Sequence, residues 1–126
     1  MIPNSDSHQV FDTEGVLTTV GGDMELLGEM KAIFLEDAPL QLARIADGMA
    51  RKDAPAVRLS AHSLKGSAAS LHAPRLKAAA FALETMGRDG DFARMEEGLR
   101  LVRVELDCFA GALTEWMDRM SAPGVR

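Results

Sequence analysis

The chain has 126 residues, 13.6 kDa, a formal net charge of -5 and a sequence pI ≈ 5.1, which suits one domain with one core and leaves no room for a catalytic and a regulatory domain side by side. Hydrophobic residues at 47% and charged residues at 26% fit a soluble globular protein rather than a disordered one, and the acidic balance argues against general affinity for nucleic-acid phosphates or anionic membrane surfaces. A lone cysteine, Cys108, excludes a disulfide framework and a thiolate cluster, and with no secretory leader or long apolar run a cytoplasmic location is expected.

Abundant methionine, scarce aromatic residues, no tyrosine, and recurring alanine and leucine favour helices over sheets. Residues 1–10 carry Pro3, Asn4, Ser5 and Ser7 and read as a flexible tail. A short helix is expected over residues 12–20, closed by Gly21 and Gly22, after which Asp23 caps the next helix by accepting from its free N–H groups. In that long helix Leu27, Met30, Phe34, Ala38, Leu42, Ile45 and Met49 recur at steps of three and four and form an apolar face. Pro39 removes a backbone donor and crowds a carbonyl, which predicts a kink or break near Asp37. Asp53-Ala54-Pro55 starts a third helix, running to about His72 with Val57, Ala61, Leu64, Ala68 and Leu71 inward. Pro74 opens a fourth, with Leu76, Ala79 or Ala80, Leu83 and Met86 inward, stopping at Gly87-Arg88-Asp89-Gly90. Asp91 caps the last, whose stripe Phe92, Met95, Leu99, Val102, Leu106, Phe109, Leu113, Trp116 and Met120 keeps heptad spacing over roughly 40 Å. The expected fold is all-α, an up-down four-helix bundle with a short extra N-terminal helix, over residues 11–120, with a C-terminal tail at 121–126.

No nucleophilic triad, phosphate-binding glycine loop or zinc spacing occurs. His8 in the tail and His72 at a helix end read as ordinary solvated residues, the second favoured by the helix dipole. His62 and His72 lack the three- or four-residue spacing with which one helix face binds a metal, so no metal site is expected. His62 differs. At about 100° per residue it falls roughly 140° from the core stripe, with Lys65 at about 80°, Arg58 at about 100° and Gly66 at about 180°. The imidazole therefore points outward with an ammonium one turn away. Gly66 costs roughly 1 kcal/mol relative to alanine inside a helix; close approach of another protein surface beside the ring would give it a reason, against the competing reading of a random small residue in an alanine-rich chain. Leu59 and Ala69 flank His62 and would form a small apolar rim for docking, against the competing reading of scattered exposed apolar residues that need no explanation. Phosphoryl transfer to and from imidazole suits this set, because a neutral ring nitrogen is a competent nucleophile and a lysine offsets the charge it gains.

The stretch Ala61-His62-Ser63-Leu64-Lys65-Gly66-Ser67-Ala68-Ala69 closely resembles the A-H-x-L-K-G signature of histidine-containing phosphotransfer (HPt) domains. Phe11-Asp12, Gly22-Asp23, Phe34-Leu35-Glu36-Asp37-Ala38-Pro39 and Leu83-Glu84 look like the same family, extending the resemblance over about residues 11–120. It implies a four-helix bundle that relays phosphoryl groups between receiver domains, or from a hybrid histidine kinase to a response regulator. His62 would be the phosphoacceptor, Lys65 would stabilise the phosphoryl group and Gly66 would give clearance. A residue on the following helix that hydrogen-bonds the imidazole corresponds best to Glu84, while a solvated surface acid is the competing reading. Arg58, Leu59 and Ala69 would contact the partner. The chain departs from the family at His72, where glycine is common, so this helix is expected to end without the left-handed residue a glycine supplies.

The resemblance implies a monomeric carrier without nucleotide site or cofactor of its own, magnesium being brought by the partner receiver domain. Two other classes stand beside it: a helical adaptor or kinase-inhibitory module that docks without being phosphorylated, and a histidine-kinase dimerisation bundle, for whose ATP-binding companion the chain has no length.

Overall fold

Asp23 and Asp53 begin two of the long helices by the same device. Oδ1 of Asp23 accepts from the N–H of Leu26 at 3.0 Å, and Oδ1 of Asp53 from that of Ala56 at 3.1 Å, each filling a donor that a helix start leaves unpaired. The computed structural model describes residues 10–121, and every regular element among them is a helix: α1 (Thr13–Val20), α2 (Met24–Ala50), α3 (Ala54–Ser70), α4 (Pro74–Asp89) and α5 (Phe92–Ser121). Connections of two or three residues make successive long helices antiparallel neighbours. α3 packs between α2 and α4, α4 packs on α5, and α5 closes on α2, while α1 rests on α2. This is the expected all-α architecture. No helix among the described residues is long and apolar enough to cross a membrane. The tails expected at the two ends lie outside the described residues, apart from Val10, which leans on the core, and Ser121, which ends α5.

The core follows the apolar stripes. Val57, Ala61, Leu64 and Ala68 of α3 and Leu71 at its C-cap are all buried, as are Leu76, Ala80 and Leu83 of α4 and Met95, Leu99, Val102, Leu106, Phe109 and Leu113 of α5. Each fully buried leucine or phenylalanine contributes about 1.5–3 kcal/mol toward the entropy cost of folding. Phe109 centres an edge-to-face cluster, 5.8 Å from Phe11 and 5.4 Å from Phe34, and Phe11 lies 5.6 Å from Trp116. In α2, Leu27, Phe34, Ala38 and Ile45 are buried and Met30, Leu42 and Met49 partly so, but Gln41, outside the expected stripe, is also buried. Its amide turns toward Asp37 Oδ1 at 3.4 Å, a polar outlet within the same helix. Met120 is exposed rather than inward, because α5 at 30 residues outlasts the helices it packs on.

Three further expectations are corrected. Of the kink or break expected near Asp37, the break is absent: α2 continues through Pro39. Pro39 and Leu35, whose carbonyl loses its helical partner, both face solvent, so water can satisfy the orphan while Phe34 and Ala38 hold the helix on the core. α4 does not stop at Gly87. It runs to Asp89 and ends in the left-handed Gly90, and Gly87 is a buried interior position. A Cβ on Gly87 would lie 2.7 Å from the backbone N and 2.8 Å from the Cα of Arg58, so this glycine lets α3 and α4 touch backbone to backbone. Finally, α3 ends at Ser70, and His72 itself takes the left-handed conformation, φ 56°.

That conformation costs a non-glycine residue roughly 1–2 kcal/mol, and α1 supplies the compensation. Nε2 of His72 lies 2.6 Å from Thr19 Oγ1, and its carbonyl accepts from the N–H of Asp12 at 2.8 Å. The ring also lies flush against α1, since a Cβ on Gly15 would meet its Nδ1 at 2.6 Å. His72 is thus a half-buried anchor for α1 rather than a solvated helix end.

Candidate functional site

The contact of Gly87 with Arg58 fixes the register of the antiparallel α3 and α4, and the site follows from it. One turn along both helices brings His62 opposite Glu84, and the next brings Lys65 opposite Phe81. His62 Nδ1 lies 3.0 Å from Glu84 Oε2, and Lys65 Nζ lies 2.9 Å from Glu84 Oε1. Oε1 is buried, and the ammonium meets it in ion-pair contact but off the line of a good hydrogen bond. The Glu84 carboxyl is held below the usual carboxylate range, first by Lys65, then by His62, against the opposing pull of its own desolvation.

The tautomer of His62 follows from that charge. An ionised carboxylate only accepts hydrogen bonds, so Nδ1 carries the proton and donates to Oε2. In the neutral ring the lone pair then resides on Nε2, which makes no hydrogen bond among the described residues, on a side chain 61% exposed. Glu84, by contrast, is only 15% exposed. The arrangement is a half-buried acid behind an outward, nucleophilic nitrogen.

A family model described as the Hpt domain matches residues 29–122. The chain belongs to the Hpt domain family. Among solved structures it is similar to histidine-containing phosphotransfer protein B (HptB) of Pseudomonas aeruginosa PAO1, at 20% identity and a TM-score of 0.82, over 89% of this chain and 97% of that one. At that identity the likeness speaks for the shared fold. No curated protein sequence matches the chain.

The other residues singled out in this Hpt domain gather around the same ring, with one change in the electrostatics. Leu59, His62, Gly66 and Ala69 form one exposed ridge of α3. A Cβ on Gly66 would meet nothing within 4 Å, so no internal packing accounts for the missing side chain. Arg58 is exposed and makes no ion pair among the described residues. Lys65, however, does not stand free beside the imidazole: it is 25% exposed, folded back onto Glu84. The local charge is therefore partly neutralised within the site, not simply positive.

Phe81 escaped the sequence reading. It lies off the α4 core stripe, is 53% exposed, and has the Lys65 ammonium 5.0 Å from its ring centroid. Its signal was an apolar residue three positions before Glu84, hence on the same helix face. Beyond the ridge, exposed Ile33 and Leu40 of α2, Ser67 of α3 and the buried Leu71 that follows it border a hollow of about 400 Å³. No group of three or more His, Cys, Asp or Glu side chains is placed to hold a metal among the described residues.

Proposed function

We propose that this Hpt domain is a histidine phosphotransfer protein of a two-component phosphorelay, carrying the phosphoryl group on Nε2 of His62. The observation that carries the reading is the pairing of Nδ1 with Glu84, which leaves the opposite nitrogen of an exposed ring unbonded and outward.

The donor is an aspartyl phosphate of a response-regulator receiver domain or of a hybrid histidine kinase. Nε2 attacks phosphorus, the N–P bond forms as the P–O bond to the aspartate breaks, and the carboxylate departs with the bonding pair. Because Nδ1 keeps its proton, the phosphorylated ring is cationic, and Glu84 compensates that charge from 3.0 Å. Lys65 turns its ammonium toward the phosphoryl oxygens, and Gly66 leaves room for the receiver's surface. Arg58, Leu59 and Ala69 form the surrounding contact surface. Return of the group to a second receiver aspartate reverses these steps, so the chain is a carrier that uses no nucleotide or cofactor of its own, and the receiver brings the magnesium.

Incubation with a phosphorylated receiver domain should give an acid-labile, base-stable label on the parent and none on His62→Gln. Equal labelling of the two proteins sinks the assignment. Binding that survives in both, with no label in either, selects a docking-only adaptor instead.

A further inference from the structure

We propose that Phe81 is a positioning residue for Lys65: its ring face holds the ammonium beside Glu84 and within reach of His62. This rests on the phosphotransfer reading for its consequence, but not for the contact itself.

A lysine side chain is long, flexible and strongly hydrated, and one exposed ion pair rarely fixes it. Here Lys65, on the flank of the α3 core stripe, is only 25% exposed. Two contacts from α4 account for this: Glu84 Oε1 at 2.9 Å and the Phe81 ring at 5.0 Å to the centroid, within cation–π range. The Glu84 contact is a single 2.9 Å ion pair, and the ring supplies a second constraint on the ammonium. Lys77 lines the same shallow hollow as Lys65 and Phe81, and its like charge disfavours a swing of the ammonium toward the start of α4. Phe81 itself is 53% exposed and outside the core cluster, so core packing does not explain its ring. When Nε2 gains a phosphoryl group, an ammonium already ordered on the α4 side has a short path to the new oxygens. A freely solvated one must be ordered first.

Full-length Phe81→Leu, which keeps apolar bulk but removes the π face, and Phe81→Tyr, which keeps the face, are compared with the parent. Two readouts serve. Acylation of individual lysines by acetic anhydride, read by mass spectrometry against Lys31 as internal reference, should be about two- to five-fold faster at Lys65 in Phe81→Leu and unchanged in Phe81→Tyr. Phosphorylation of His62 by phosphoramidate, in which Nε2 takes the phosphoryl group and ammonia leaves, should slow by a similar factor in Phe81→Leu alone. This donor needs no protein docking surface, so a docking role for Phe81 would not show. In a Lys65→Gln background the Phe81→Leu effect on phosphorylation should vanish. Equal Lys65 acylation in Phe81→Leu and parent overturns the proposal, as does a phosphorylation defect that persists without Lys65. If the parent takes no label from phosphoramidate or from a receiver, the phosphotransfer reading fails while the acylation comparison still decides the contact.

Discussion

His62 lies within α3 and His72 in the turn just beyond its end, ten residues apart, and the structure uses them in opposite ways. His62 is largely exposed, on regular helix, with Nδ1 tied to a half-buried carboxylate and Nε2 turned outward. His72 is half-buried, has left-handed backbone, and spends Nε2 on Thr19 while α1 covers its other nitrogen. One ring is tethered so that a nitrogen stays available, and the other is enclosed so that both are occupied or covered. Residue type does not assign the role. What assigns it is which nitrogen the neighbouring elements consume.

The sharpest way to break this comparison is to exchange the outcome at the two rings. His62→Gln should lose all receiver-derived label with unfolding free energy unchanged to within about 0.5 kcal/mol, as for an exposed surface substitution, whereas His72→Gln should still take label. Next in size is the backbone contact that aligns His62 with Glu84. Gly87→Ala forces a methyl against Arg58 main chain and should cost about 2–3 kcal/mol in urea unfolding. Its labelling rate should fall too, since α3 and α4 must part. At the second ring, His72→Ala keeps the strained conformation and loses the Thr19 bond, for a loss of about 1–2 kcal/mol. His72→Gly removes the strain with the bond and should be more stable than His72→Ala by about 1 kcal/mol.

The smallest effect concerns Glu84. Its native carboxyl is depressed, chiefly by Lys65, so its stabilisation is complete above the unfolded value near about 4.3 and is lost as pH falls through the lower folded value. Glu84→Gln should therefore be less stable than the parent by about 1 kcal/mol at neutral pH. The two unfolding curves should converge on acidification below about pH 4. A gap that stays constant with pH would show that the carboxylate charge contributes nothing.

Much of this was legible in the chain itself. The stripe of α3 is legible because five apolar residues at steps of three and four fit only one helical face, and Asp23 caps α2 and Asp53 precedes α3 where expected. The misreadings share a cause. Local propensity predicts a break at Pro39, a stop at Gly87 and a solvated helix end at His72, and each is overridden by a neighbour distant in sequence: the core beneath α2, the Arg58 backbone, and α1. Phe81 was passed over because nothing in α4 alone shows that Lys65 lies across it.

By itself the sequence determined the all-helical class, the stripes that bury, and the outward placement of His62 with Lys65 and Gly66. These depend only on the 3.6-residue period within a single helix. Only the tertiary structure decided that Glu84 rather than solvent meets Nδ1, that Lys65 is shared with Phe81, and that His72 anchors α1. Those facts depend on the register between helices, which close backbone contact sets and no periodicity within one helix can express.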